Sequence, residues 1–322
     1  MTHNVLIIGA QGMLGQALVA AFGEDEAYHV TAWDRAEIDV TDTPAAREKI
    51  TALWPDIIIN ATAYNAVDAC EEDDAEYAKA QALNTRVPGE LAKIAASLQA
   101  TFVHYSTDYV FDGQRPRVNG RRGPGCCGQK CQKCRYMGPE ENFPYWSYCE
   151  NDDANPLSRY GQTKRDGERA VEKYGSRYYI IRLSKLFGAP ATAPGAKRSF
   201  FDVMRDVGVK AQRDGTCVTA VDGETSCFTY APDLAAETKA IIEDAAPSGI
   251  YHVVNSGPCT WYEAAKTLYE ILGMDVCVKP VPPSAFPRPA QRPASSVLIS
   301  TKRSPLRDYR EALREYLVQT RA

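Results

Sequence analysis

Gly9-Ala10-Gln11-Gly12-Met13-Leu14-Gly15 lies between an apolar run of strand type, Asn4–Ile8, and a helical pattern, Met13–Phe22. Glycine at these three positions permits a tight strand-to-helix turn and lets backbone N–H groups approach a pyrophosphate. It also lets the helix pack closely on the sheet, and the helix N-terminus favours negative charge. The spacing is Gly-x-x-Gly-x-x-Gly rather than the commoner Gly-x-Gly-x-x-Gly, and such a turn can also serve structure alone.

Further strand-type runs at His29–Trp33, Asp56–Asn60, Thr101–Tyr105 and Tyr178–Leu183 alternate with helical patterns at Ala45–Leu53, Val87–Leu98 and Ser158–Lys173. That alternation predicts an α/β fold with a doubly wound parallel sheet, Rossmann-like. Residues 1–187 would form the dinucleotide-binding domain. From about Gly188 the pattern loosens into helices near Ser199–Val207, Pro232–Glu243 and Thr260–Leu272, a Pro-rich stretch from Pro280 to Pro293, and a last helix near Leu306–Val318. Residues 188–322 are therefore expected to form mainly a smaller substrate-binding domain that completes a cleft.

Composition excludes two classes of partner. The formal charge of -4 gives no global basic field, so a general nucleic-acid binder is not expected. No stretch reaches the ~20 apolar residues of a membrane helix, and the N-terminal run lacks a positively charged start. The chain is expected to be cytoplasmic.

The second strand ends at Asp34, about 20 residues past the glycines, where a carboxylate would bind the ribose hydroxyls of NAD. Arg35 follows and could instead pair with the 2′-phosphate of NADP, so either cofactor fits. Asp39 and Val40 lie on the next loop, toward an adenine. Ala61, Thr62 and Ala63 follow a further strand at the carboxyl edge where ligands of such sheets lie.

Tyr160-Gly161-Gln162-Thr163-Lys164 places a phenol and an ammonium one helical turn apart. A nearby positive charge would lower the tyrosine pKa from its usual ~10, suiting Tyr160 to general-acid work. A surface pair would show the same spacing. Ser106-Thr107-Asp108-Tyr109 follows an apolar strand, so Thr107 would reach the same edge and could hydrogen-bond a substrate carbonyl, although Ser and Thr also cap turns.

Together Gly9–Gly15, Ser106-Thr107-Asp108-Tyr109-Val110-Phe111-Asp112-Gly113, and Tyr160–Lys164 with Gly167-Glu168 resemble the extended short-chain dehydrogenase/reductases, specifically the dTDP-4-dehydrorhamnose reductase family. Asn60–Asp68, Arg292–Leu298 and Leu306–Leu313 are similar to the same family's other signatures. The resemblance implies a catalytic triad of Thr107, Tyr160 and Lys164. It implies a cofactor loop of Gly9, Gln11, Gly12, Met13, Leu14 and Gly15, with Tyr160 and Lys164 also at the cofactor. Asp108 and Tyr109 would line the sugar site, and Arg288 and Arg292 are candidates for the diphosphate or for a solvated basic loop. The implied reaction is NAD(P)H-dependent reduction of a nucleotide-linked 4-dehydro-6-deoxy sugar, dTDP-4-dehydrorhamnose to dTDP-L-rhamnose, by a chain that could form a homodimer. An epimerase or dehydratase of the same superfamily, and a non-catalytic NADP-binding subunit like the methionine adenosyltransferase β-subunit, are the alternatives. Where these reductases carry tryptophan after the fifth strand, this chain has Lys185.

Residues 115–147 interrupt the resemblance with seven basic residues, two acidic ones, and glycine and proline throughout. Cys131-Gln132-Lys133-Cys134 has zinc-knuckle spacing, and Cys127, or Cys126 in its place, with Cys149 could complete a structural zinc site; reduced thiols or a disulfide are the alternatives. Cys70, Cys217, Cys227, Cys259 and Cys277 stand among apolar residues and are expected as buried thiols.

Overall fold

The computed structural model describes residues 2–114, 147–193 and 195–320, with the backbone alone of 117–118 and 121–122. In chain order its main elements are β1 (His3–Ile8), α1 (Met13–Gly23), β2 (Tyr28–Trp33), α2 (Thr43–Leu53), β3 (Ile57–Asn60), α3 (Val87–Ser97), β4 (Thr101–Thr107), α4 (Arg159–Tyr174) and β5 (Tyr178–Leu183). The second half adds α5 (Phe200–Asp214), β6 (Val218–Val221), α6 (Ala231–Glu243), β7 (Gly249–His252), α7 (Trp261–Leu272), β8 (Val278–Val281) and α8 (Tyr309–Gln319).

Six strands form one parallel sheet in the order β7-β5-β4-β3-β1-β2. Its strands are near-continuous apolar runs because helices cover both faces. Along β1, Val5 and Ile7 pack with Leu14, Leu18 and Phe22 of α1 and Leu234 and Ile241 of α6. Leu6 and Ile8 face the other layer, with Ile50, Leu91, Ile94 and Val171. The expected doubly wound sheet is therefore present. The chain passes from β1 outward to β2 and then back across to β3, so the carboxyl ends of β1 and β3 flank a topological switch point, where such sheets open a ligand crevice.

Residues 231–253 of the second half return to this sheet, α6 against α1 and β7 beside β5. The rest of that half, joined by Phe187 from the end of the first, has its own core, in which Phe201, Phe228 and Tyr230 meet Leu268, Tyr309, Leu313 and Tyr316. Its helices are well capped. Ser199 accepts from Asp202 N–H, and Thr260 and Glu263 form a reciprocal capping box. No helix among the described residues is long and apolar enough to cross a membrane.

Two cysteine expectations need correction. Cys217 and Cys277 are exposed and joined as a disulfide, while Cys70, Cys227 and Cys259 are buried. Cys217 and Cys277 immediately precede the paired strands β6 and β8, and Val218 N–H donates to the Cys277 carbonyl (2.8 Å), which brings their Cα atoms to 4.6 Å. Reductant is expected to lower stability by about 2–4 kcal/mol. Urea melts with and without dithiothreitol read this directly. A midpoint indifferent to reductant, or a Cys217→Ser variant that still responds to it, contradicts the expectation.

Candidate functional site

The glycine turn is tightened by contact. A Cβ on Gly15 would fall 2.0 Å from the Gly9 carbonyl oxygen and 2.8 Å from Ala10 Cα. Gly12 caps α1 without a side chain, and the first turn of that helix carries no acid, so its N–H groups and the positive end of its dipole face the crevice. Gln11 N–H donates to Asp34 Oδ2 (2.9 Å) and Arg35 N–H to Asp34 Oδ1 (2.8 Å), which fixes that carboxylate against the turn. Beside it lies a cavity of about 430 Å³ lined by Ala10, Gln11, Gln16, Ala32, Asp34 and Glu37, among others. This cradle, which a Cβ would fill, fits the diphosphate and adenosine of a nicotinamide dinucleotide.

Other expected cofactor residues divide. Ala61 N–H donates to the Ile8 carbonyl (2.9 Å), keeping the β3 end beside the turn. Buried Asn60 accepts from Thr62 N–H (3.1 Å) and from the Thr62 hydroxyl (2.6 Å), so Thr62 and Ala63 sit on a turn shaped from below. Val40 is buried in the core beneath β1. Asp39 is exposed and caps Thr41, whose hydroxyl and N–H hold the carboxyl below its usual range.

Thr107, Tyr160 and Lys164 converge at the carboxyl end of β4. The Ser158 hydroxyl caps α4 by accepting from Gly161 N–H (3.1 Å), and a Cβ on Gly161 would lie 2.4 Å from the Tyr109 carbonyl oxygen. Only glycine lets the helix seat so closely on the Asp108–Val110 turn. Thr107 Oγ1 accepts from Tyr109 N–H (3.2 Å) and donates to Asp108 Oδ1 (3.1 Å), so it caps that turn while standing at the cleft. Tyr160 packs edge-to-face on Tyr109, with centroids 6.3 Å apart.

The expected depression of the Tyr160 pKa is not observed. Burial and then the Asp108 charge push the phenol upward, partly offset by a hydrogen bond with Thr107. Lys164 instead donates to the Tyr105 carbonyl (2.6 Å), and burial lowers its own pKa to about 8 against the supporting charge of Glu168. Glu168, fully buried, receives two 2.8 Å hydrogen bonds from Arg182, which hold it below the usual carboxylate range although burial opposes this.

Asp108, expected to line the sugar site, is buried. Its carboxylate accepts from Ser296 (2.5 Å), Ser184 (2.8 Å) and Thr107, joining the ends of β4 and β5 to the C-terminal segment; burial raises its pKa. Tyr109 stays at the cleft with its pKa pushed up to about 12 by burial. Neither expected diphosphate arginine is free. Arg288 pairs with Glu224, and Arg292 with Asp68 and the Ala290 carbonyl. These acids, the serines on Asp108 and buried Asn84 were not singled out from sequence. Asn84 lies in a π-helical stretch, Gln81–Arg86, and ties Tyr64 to Thr163.

The zinc expectation finds no support. Cys126, Cys127, Cys131 and Cys134 lie outside the described residues, and among the described residues no cluster of His, Cys, Asp or Glu is arranged to hold a metal ion. Cys149 is buried, and burial together with Asp152 disfavours its thiolate.

Residues 3–322 match the family described as RmlD substrate binding domain. The chain is 34% identical to a probable dTDP-4,6-dihydroxy-2-methyloxan-3-one 4-ketoreductase of Streptomyces antibioticus, covering 96% of this chain and 93% of the relative. It is 33% identical to a dTDP-4-dehydrorhamnose reductase of Streptomyces griseus, over 96% and 91%. A solved dTDP-4-dehydrorhamnose reductase of Bacillus anthracis in complex with NADP superimposes with a TM-score of 0.81 at 26% identity, over 99% of this chain and all of that one.

Proposed function

Since the chain belongs to the RmlD substrate binding domain family, we propose that it is an NAD(P)H-dependent oxidoreductase that reduces the 4-keto group of a dTDP-linked 4-dehydro-6-deoxy sugar, dTDP-4-dehydrorhamnose to dTDP-L-rhamnose. The observation that carries this is the meeting of Thr107, Tyr160 and Lys164 at the sheet edge that also holds the glycine turn. Related proteins named as dTDP-4-dehydrorhamnose reductases support it.

When bound, the nicotinamide supplies a hydride to the ketone carbon. The chain's own groups do the rest. Tyr160, kept neutral by burial, donates its proton to the developing alkoxide, and Thr107 steadies the carbonyl oxygen. Lys164 would hold the nicotinamide ribose and lend positive charge to the phenol. Asp34 and the first turn of α1 would hold the adenosine ribose and the diphosphate. Segments of 188–322 outside the returning 231–253 would form the substrate-binding domain. A cytoplasmic location and a homodimer remain part of this reading, although the cleft depends on neither.

We further assign preference to NADH. Asp34 is joined by Glu37, whose carboxylate accepts from Asp34 N–H (2.8 Å), so a 2′-phosphate would meet two negative charges. Asp34→Ala should shift the ratio of kcat/KM values toward NADPH by about tenfold or more; an unchanged ratio would overturn the preference.

The activity itself is tested by mixing the protein with NADH or NADPH and dTDP-4-dehydro-6-deoxy-L-mannose. Loss of nicotinamide absorbance with formation of dTDP-L-rhamnose is expected. Cofactor binding without turnover on any 4-keto sugar would favour a regulatory subunit. Sugar interconversion without net oxidation would favour an epimerase or dehydratase.

A further inference from the structure

The chain turns abruptly after β5. Lys185 has φ +37, a left-handed conformation that costs a residue with a side chain on the order of 1–3 kcal/mol and persists only where neighbours impose it. Those neighbours are identifiable. Thr229 N–H donates to the Lys185 carbonyl (3.3 Å), the Thr229 hydroxyl donates to the Ser184 carbonyl (2.6 Å), and the Ser184 hydroxyl donates to Asp108. Strain at this point aims the Lys185 side chain into an aromatic corner. Its Nζ lies 3.9 Å from the Trp261 ring centroid and 5.1 Å from that of Phe228.

The corner is rigid. The Trp261 indole N–H donates to Glu224 Oε2 (3.2 Å), and Glu224 is clamped by Arg288. The ammonium is nevertheless short of acceptors. An ammonium has three N–H groups, and among the described residues the one hydrogen bond made by Lys185 Nζ is a long one, 3.5 Å, to the Cys259 carbonyl. A half-buried cation held by ring faces, with donors to spare, is poised to receive an oxygen from outside the protein. Its distance from the reacting centre is short in chain terms. Ser184, its neighbour, hydrogen-bonds Asp108, which follows Thr107 and whose charge acts on both Tyr160 and Lys185.

We propose that Lys185 is a specificity-determining residue of the 4-ketoreductase read above: its ammonium donates hydrogen bonds to a hydroxyl oxygen on the hexose ring, beside the wall formed by Trp261. The proposal rests on that reading, and it implies selection for a sugar bearing an oxygen at this corner over one lacking it. A site built to hydrogen-bond a substrate hydroxyl rejects the analogue without it, because the buried donor is then left unpaired.

The test is calorimetric binding of dTDP and of dTDP-L-rhamnose, with NADH or NADPH present, to the wild-type protein and to Lys185→Met, which keeps the stem and removes the charge. The wild type should bind dTDP-L-rhamnose more tightly than dTDP. Lys185→Met should weaken dTDP-L-rhamnose by about tenfold to a hundredfold and leave dTDP unchanged. Equal loss for both ligands would move Lys185 to the diphosphate or to a merely structural role, and no loss for either would remove it from the site; both overturn the proposal. Cofactor affinity reports folding, and if Lys185→Met loses it, Lys185→Leu, which also lacks a donor, carries the same comparison. A wild type that binds cofactor but neither nucleotide would defeat the functional reading, and this proposal with it.

Discussion

Tyr160→Phe is expected to lower kcat by about 10²–10⁴-fold while cofactor affinity stays close to that of the wild type. The phenyl ring would keep its place against Cys70, Ala80 and Tyr109, so only the transferable proton is lost. Steady-state rates together with a cofactor titration by fluorescence separate these two effects. The pH profile gives a second reading. Lys164 has its pKa lowered to about 8, so its ammonium predominates below that pH and is lost above it. The phenol is shifted upward and stays protonated throughout the working range. Activity that needs the Lys164 charge should therefore fall on the alkaline side around pH 8, and a profile flat across that limb would deny Lys164 its role.

Replacing Glu168 by Gln should destabilise the protein by about 3–5 kcal/mol, because it strands a buried guanidinium. Arg182 and Glu168 are almost wholly buried, their contact is bidentate at 2.8 Å, and Arg182 has as further company the Phe111 ring face at 5.1 Å and His252 Nε2 at 3.4 Å. Urea unfolding reads the loss. Removing both charges together with Glu168→Met and Arg182→Met should cost less than Glu168→Gln alone, since neither partner is then left uncompensated. Glu168 also supports the Lys164 charge, so in Glu168→Gln the alkaline limb should move to lower pH. A midpoint close to wild type would mean that Arg182 finds another counter-charge.

The sheet was legible because its strands are short apolar runs between recognisable helices. Tyr178–Leu183 falls where the sequence places it, and the other four expected strands agree to within two residues at each end. The glycine turn and the Tyr160–Lys164 helix were legible for the same reason, since local sequence dictates both. Contacts between distant segments carry no such signal. The resemblance puts Asp108 at the sugar, and nothing in Ser106–Phe111 discloses Ser184 or Ser296, which hold its carboxylate. Arg288 and Arg292 looked free because Glu224 and Asp68 stand 64 and 224 residues away. The Cys217–Cys277 pair is likewise set by the pairing of β6 with β8, which no short pattern announces. The Tyr160 pKa moved opposite to expectation because spacing reports neighbours on a helix and not burial.

The Tyr148 hydroxyl shares its one proton between Asp112 Oδ1 (3.0 Å) and the Gln114 carbonyl (2.5 Å), its ring stacks on Phe111 at 4.1 Å, and its strand pairs with Val297–Leu298. Gln114 and Tyr148, 34 residues apart in the chain, are therefore tied together within the fold. Closing a length of chain between two points tied in this way costs entropy that grows slowly, by only about 0.6 kcal/mol for each doubling of the length. The length of chain between Gln114 and Tyr148 can therefore change at small entropic cost, because the ring stack and strand pairing that hold Tyr148 lie within the fold.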